Sequence, residues 1–494
     1  MKRYRRFLNG VALLLAVLSN GHRAFAADPM SLSLDVAITL ALQNNLDAAV
    51  RAEATRGGEW DIRVEEALFD PSWQAAVDVS RSEDRLFTDR LGDGLDLNRQ
   101  TRQNLRADLS QRLPAGGRYS IGLERNRSGA HFGSDGDVQT DLVFRLTQPL
   151  LRGLGREITA IPRAVARTGH AMLEAEARVE QARIVVAVTE AYWEWVFARE
   201  HLAIQRQKRQ ATEALLAQNR VKVDLGLSAA IEVLVAEAAV ATREETVVVA
   251  EAAVADAEDR VRSLLNLPQI DLVAVDRPPD FLDDPGFEEK SDADRIEEAL
   301  AQRPEIARQR LDLHQRLLTL QRADHDRQSS LDFTTALAAG GAGSGDGDAL
   351  DRLGSADTTR WEAGLTWTYP IGNRAADARA QSAHSDWKVA QLVRKRLERQ
   401  VADEVRQAVR RVRTDRKRVE TTRRARALAE RKRAAGEERF RLGLIDSRIL
   451  LEIQDEAADA ESGALRAITD AQVARARLSQ AEGVRKPHPK PALP

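Results

Sequence analysis

LGLSAAIEVLVAE occupies residues 225–237, and LGLIDSRILLEIQ occupies residues 442–454. The two stretches align without a gap, each a glycine held between leucines and followed by helical periodicity. Gly226 and Gly443 sit where a left-handed residue ends a helix. Ser228 and Asp446 stand where the following helix needs an N-cap. Each stretch therefore reads as the tip of a helical hairpin. Upstream of the first tip, helical pattern runs from Arg156 to about Leu225 with no proline after Pro162. Upstream of the second it runs from Ala375 to Leu442 with none at all. At about 1.5 Å per residue these are rods of about 105 Å and about 100 Å. Such rods are stable only against partners of similar length. The pattern returns over Ala229–Leu265, ending at Asn266-Leu267-Pro268, and from Asp446 to about Gln480.

The repetition extends beyond the tips. Ala253-Val254-Ala255-Asp256-Ala257 overlays Ala467-Ile468-Thr469-Asp470-Ala471, and ALQNNLDA at 41–48 is echoed by ALAQRPEI at 299–306. The expected organisation is a first repeat over 31–268, a linker over 269–292 and a second repeat over 293–482. Each repeat opens with a helix, over 31–68 and 294–327. A Pro-rich tail, 483–494, is expected to be disordered.

Between each opening helix and its rod the period changes from 3.6 to 2. Trp73, Ala75, Val77 and Val79 alternate with Gln74, Ala76, Asp78 and Ser80. Similar alternation runs through Leu105–Ser110, through Tyr119–Glu124 after the Pro114-Ala115-Gly116-Gly117 turn, and through Asp141–Thr147. In the second repeat it covers Leu331–Leu337 and Trp361–Tyr369. Strands are thus expected over about 72–148 and 330–369, each with one apolar and one charged face. Pro149 and Pro370 end the last strand of each set. Long helical hairpins then fill about 156–266 and 375–482. A soluble sandwich or an outer-membrane barrel both show this alternation. The Gly/Asp-rich segment from Gly340 to Asp348 reads as an exposed loop.

The N-terminus carries a different signal. Lys2, Arg3, Arg5 and Arg6 precede an apolar run from Val11 to Leu18, and Ala24-Phe25-Ala26 follows at cleavage-site spacing. Residues 1–27 read as a secretory signal peptide. Without them the chain keeps 69 basic against 76 acidic residues, a formal net charge of −7. That balance is no polycation footprint for nucleic acid. The run is too short to span a bilayer, and no later stretch reads as a transmembrane helix. A membrane location would have to be reached by strands.

Composition narrows the chemistry. Aromatic residues make up 4% and charged residues 30%, as in long helices with narrow seams. With no Cys there are no disulfides, thiol nucleophiles or thiolate metal sites. The eight His are scattered, and no HExxH, GxSxG or GxxxxGK[ST] occurs. No enzyme, cofactor or metal site is expected, and three Met offer little for soft-metal handling.

Taken together, the signal peptide, the LSLDVAITLALQNN opening, the paired LGL tips and the strand-to-helix prolines in LTQPLLRG and WTYPIGN resemble the TolC-type outer membrane efflux proteins. The resemblance covers about residues 31–482. It implies a fold that is mainly α with a β-barrel portion: a homotrimeric outer-membrane barrel continued by a periplasmic α-helical barrel. It implies a passive exit duct for a tripartite efflux or type I secretion system, not an enzyme. The implied partners are further copies of the chain, a periplasmic membrane-fusion adaptor, an inner-membrane transporter reached through the adaptor, and outer-membrane lipid. Carried over, the adaptor-docking tips are Leu225, Gly226, Leu227 and Ser228, with Leu442, Gly443, Leu444 and Ile445. Glu232 and Glu452 match acidic residues at the pore mouth, where the alternative for them is a surface or interhelical salt bridge with Arg220 or Arg448. Arg439 and Arg448 are candidate gate tethers. The family plan of two strands per half gives twelve in a trimer, whereas four and two are counted here. Either the barrel has eighteen strands or the hairpin around Pro114–Gly117 stands outside it. The rival reading from another class is a periplasmic coiled-coil scaffold or adaptor with a soluble β domain.

Overall fold

The computed structural model describes residues 30–87, 95–129, 137–267, 272–274 and 290–483. The signal-peptide segment, the tail beyond Gly483 and most of the 269–292 linker lie outside the described residues. The chain divides into two compact units. One, built from residues 50–180 and 296–403, holds the large sheet; the other, from residues 1–49, 181–295 and 404–494, holds the hairpin tips.

The chain begins with a short strand β1 (Met30–Leu32) and helix α1 (Leu34–Asn44). Helix α2 (Leu46–Glu66) follows after a break at Asn45. The single helix expected over 31–68 is thus two. Asn45 leaves helical geometry at φ −64° and ψ 131°, and its side-chain oxygen accepts from the Asp47 N–H at 2.9 Å. The second repeat breaks at the aligned position. Helices α5 (Asp292–Gln302) and α6 (Pro304–His325) are separated by Arg303 at φ −63° and ψ 128°. Here the cause is Pro304, which excludes helical geometry from its predecessor and pre-forms the first turn of the next helix.

Six strands form one antiparallel sheet in the order β2-β3-β4-β5-β7-β8. They are β2 (Ser72–Phe87), β3 (Leu95–Arg112), β4 (Arg118–Gly129), β5 (Asp137–Pro149), β7 (Ser330–Gly343) and β8 (Thr358–Thr368). The strands flanking Pro114–Gly117 lie inside this sheet, between β2 and β5. The Gly340–Asp348 segment is no loop. β7 continues to Gly343, and helix α7 (Asp346–Ser355) follows, packed on the sheet. Glycine makes this possible: a Cβ at Gly341 would lie 2.6 Å from the Arg352 backbone, and one at Gly343 2.5 Å from Asp348 Cβ.

The rods are α3 (Arg156–Asp224) and α8 (Arg374–Arg441); α4 (Ala230–Leu265) and α9 (Ser447–Glu482) run on from the tips. The core of the hairpin unit gathers Leu32, Ala37 and Ile38 against Ile184, Val188, Tyr192, Trp195, Val261 and Leu265. Most of the aromatic bulk here comes from one stretch of α3, where Tyr192 sits edge-on to Trp193 and Trp195 and donates to the Leu32 carbonyl at 3.1 Å. Within the segment expected to be a linker, β6 (Leu272–Ala274) pairs in parallel with β1. Three residues give too little periodicity to be read as a strand.

Candidate functional site

The sheet has two chemically distinct faces. Successive side chains alternate sides, and directly paired residues share one. Following the register across all six strands, Trp73 lines up with Leu109, Ile121, Phe144, Leu337 and Trp361. The adjacent row runs Ala75, Ala107, Leu123, Leu142 and Ala339. This apolar face lies open at the edges: Trp73 is 70% and Trp361 77% exposed. Trp367 and Tyr369 stack on each other at 5.8 Å, and Tyr119 donates to Gln111 at 2.6 Å, at the end of the sheet where the helices attach. The opposite face is charged. Glu124 is ion-paired with both Arg106 and Arg145 at 2.8 Å, and Asp78, Asp108, Asp141, Arg360 and Glu362 share that side. Helix α7 covers the far end of the apolar face, over Val138, Thr140 and Gly341, with Arg125 Nε donating to Asp346 at 2.7 Å.

The two tips are built alike. Gly226 has φ +70° and Gly443 φ +75°. Leu227 N–H donates to the Lys222 carbonyl at 2.8 Å and Gly226 N–H to Val223 at 2.9 Å. Leu444 N–H reaches Arg439 at 2.9 Å and Gly443 N–H reaches Phe440 at 3.0 Å. This paired pattern satisfies the last carbonyls of each rod. In that motif the residue after the glycine often packs back on the helix. Here it does not: Leu225, Leu227, Leu442 and Leu444 are 67%, 74%, 63% and 63% exposed. Ser228 and Ile445 are half-buried behind them. Asp446 caps α9, accepting from Ile449 N–H at 2.8 Å. Ser228 caps nothing, because α4 begins a residue later with Ala229 as its N-cap.

Glu232 and Glu452 are not equivalent. Glu232 Oε2 accepts from the Ser447 N–H at 3.1 Å, supplying a second acceptor to the start of α9. It pairs with neither Arg220 nor Arg448; Arg220 bonds Glu237 at 2.7 Å instead. Glu452 is exposed. Arg439 and Arg448 are also exposed, and neither has an ion-pair partner among the described residues. Pro149 closes β5, opposite Asp332, and Pro370 lies just past β8.

The structure adds residues that the sequence did not single out. Buried Asn219 donates to the Ser447 hydroxyl at 2.8 Å and to the Glu232 carbonyl at 3.1 Å, tying one hairpin tip to the other. Farther along, Asp455 of α9 accepts Lys208 of α3 at 2.5 Å and buried Arg243 of α4 at 2.7 Å. Burial alone would raise the Asp455 pKa, but these hydrogen bonds and charges outweigh it and hold the carboxyl below its usual range. His201 bonds Ser462 at 2.9 Å, and burial pushes its pKa down against the pull of Asp459. A polar residue at a buried position on a long helix was the available signal, but periodicity does not say which helix faces it.

No group of metal-ligating side chains occurs among the described residues. A cleft of about 310 Å³ in the sheet unit is lined by paired charges, with Glu176 accepting from Arg51 and Arg308 at 3.3 and 2.6 Å.

No protein-family model and no curated protein sequence matches the chain. Solved structures do. The outer membrane channel CmeC of Campylobacter jejuni superposes with a TM-score of 0.69 at 14% identity, over 94% of this chain and 90% of that one. The open state of the Neisseria gonorrhoeae MtrE outer membrane channel gives 0.64 at 16%, over 91% and 88%. The outer membrane protein VceC of Vibrio cholerae gives 0.64 at 13%, over 91% and 96%. The chain has the fold of these outer-membrane channels.

Proposed function

We propose that the chain is a TolC-type outer-membrane exit duct: a homotrimer whose sheets close into a membrane barrel and whose hairpin tips dock a periplasmic adaptor. Its role is passive. An inner-membrane transporter, reached through the adaptor, supplies the energy for efflux or type I secretion.

The observation that carries this reading is the apolar ladder from Trp73 to Trp361, backed by a charged face and left open at both edges. A lipid-facing wall with a wet interior has this pattern, with aromatic side chains near the interface. A soluble β domain would bury the ladder under a second layer. Among the described residues α7 covers the far end of that face and the turn at Ala67–Phe69 touches its near end, leaving Trp73 and Trp361 bare, which disfavours the periplasmic scaffold. No described helix is long and apolar enough to cross a membrane.

The test is single-channel conductance of the oligomer extracted from the outer-membrane fraction, with and without a trivalent cation. A steady conductance blocked from one side supports a gated duct with an acidic mouth; in that case exposed Glu452 is the better candidate for free charge, since Glu232 is bonded to Ser447. A protein that fractionates as soluble and never inserts would return the reading to the scaffold.

A further inference from the structure

The hairpin β3–β4 is a built part of the wall. It is paired to β2 and to β5 along its length, from Ser72↔Ser110 through Arg118↔Thr147. Its turn is also anchored at the strand-to-helix junction. The Gly155 N–H donates to the Ala115 carbonyl at 3.1 Å, Gln148 Nε2 donates to the same carbonyl at 3.3 Å, and the Thr159 hydroxyl donates to Pro114. An insertion hanging outside the barrel would need none of these bonds.

The sheet's two edges, β2 and β8, are unpaired among the described residues. In lipid an open edge leaves backbone groups without partners, so a membrane sheet must close. Six strands are too few to close alone, since the smallest single-chain barrels have eight. With six alternating strands, β2 and β8 run in opposite directions, so β8 of one copy meets β2 of the next as another antiparallel pair. Further copies of this chain are therefore the occupants that fit the edges.

We infer that three copies build an eighteen-stranded exit, and that β3–β4 widens it to pass cargo bulkier than a single helix. The inference rests on the homotrimeric duct reading above. With strands about 4.8 Å apart and tilted about 40°, eighteen give a wall about 36 Å across and twelve about 24 Å. Side chains reaching about 4 Å inward from each wall leave about 28 Å against about 16 Å; a helix with its side chains is about 10–12 Å wide. Helix α7 narrows nothing here, because it lies on the apolar face, outside the lumen.

The absence of cysteine allows a direct test. Ala338→Cys, on the charged face of β7, is reacted in membranes from the barrel side with maleimide polymers of graded size. A second variant lacks residues 88–129, so that 130–136 joins β2 to β5. A polymer about 20 Å wide should label Ala338→Cys within about threefold of the rate of a small maleimide, and at least tenfold slower after the deletion. Exclusion of that polymer from the full chain, while the small maleimide reacts, would overturn the wide exit. If the deleted chain does not assemble, the polymer series on the full chain decides alone. Cross-linking between Cys pairs on β2 and β8 is read separately. A membrane trimer that excludes the polymer defeats this inference only, whereas a chain that forms no trimer defeats the duct reading itself.

Discussion

At the scale of single residues, the tip glycines are used for backbone geometry and nothing else. No heavy atom lies within 4 Å of a Cβ placed at Gly226 or Gly443, so substitution meets no clash, only a left-handed φ. Gly443→Ala should therefore cost about 1 kcal/mol locally, seen as faster hydrogen exchange at Leu444 N–H with the global transition unchanged. These positions were legible in the sequence because only a few residue types tolerate that geometry. Ser228 misled for a complementary reason: serine suits a cap, but the helix starts one residue too late for it. His201 makes a pH prediction. Burial lowers its pKa, so the fold holds the neutral ring, while the unfolded ring takes its proton near pH 6.5. Stability should fall as pH drops from about 6.5 toward the lowered folded value. His201→Gln should flatten that slope in a series of thermal midpoints against pH.

Between elements, a few buried polar bridges supplement the apolar core of the hairpin unit. Asn219 is buried, so its amide must bond or pay for lost hydration. Asn219→Ala strands Ser447 and should destabilise the tip by about 1–3 kcal/mol, read as increased exchange over Ser447–Leu450. Hydrophobic clustering of Leu215, Phe440, Leu450 and Leu451 beside it should keep the helices themselves intact. The helices, their periods and their order could be read from the sequence because each is a one-dimensional pattern. The bridges could not, since Lys208, Arg243 and Asp455 lie far apart in the chain and look like any solvated charge. The break at Arg303 could have been read from Pro304. The one at Asn45 depends on a capping bond and on a second bond to the Leu264 carbonyl at 2.9 Å, which no local signal announces. Helix α7 was hidden by the glycines before it: Gly341 and Gly343 suggest a loop, yet they belong to β7 and let the helix pack closely on the sheet.

At the scale of the whole molecule, the prediction concerns the exposed leucines. If the tips dock an adaptor, Leu227→Asp with Leu444→Asp should abolish assembly with the adaptor, and export, while leaving the circular dichroism spectrum and the homo-oligomer unchanged, because both side chains are mostly exposed in the fold. Normal export by the folded double variant would remove the docking role. The amphipathic strands were legible as such, but their number in one sheet was not. Alternation identifies a strand with two faces, and says nothing about which strand lies beside it.

The β1–β6 pair has a consequence for how the polypeptide is completed. Its partners are separated by about 240 residues; closing such a loop costs about 5 kcal/mol of chain entropy. A three-residue ladder cannot supply that by itself, at about 1 kcal/mol per hydrogen bond. The contact can form only after α1, α3 and α4 have already brought Leu32 and Leu272 into one core. In a chain threaded through a translocon beginning with its N-terminus, the first strand to emerge is thus among the last to be satisfied. In such a chain Met30–Leu32 would be a late latch, without its partner strand until Leu272 arrives.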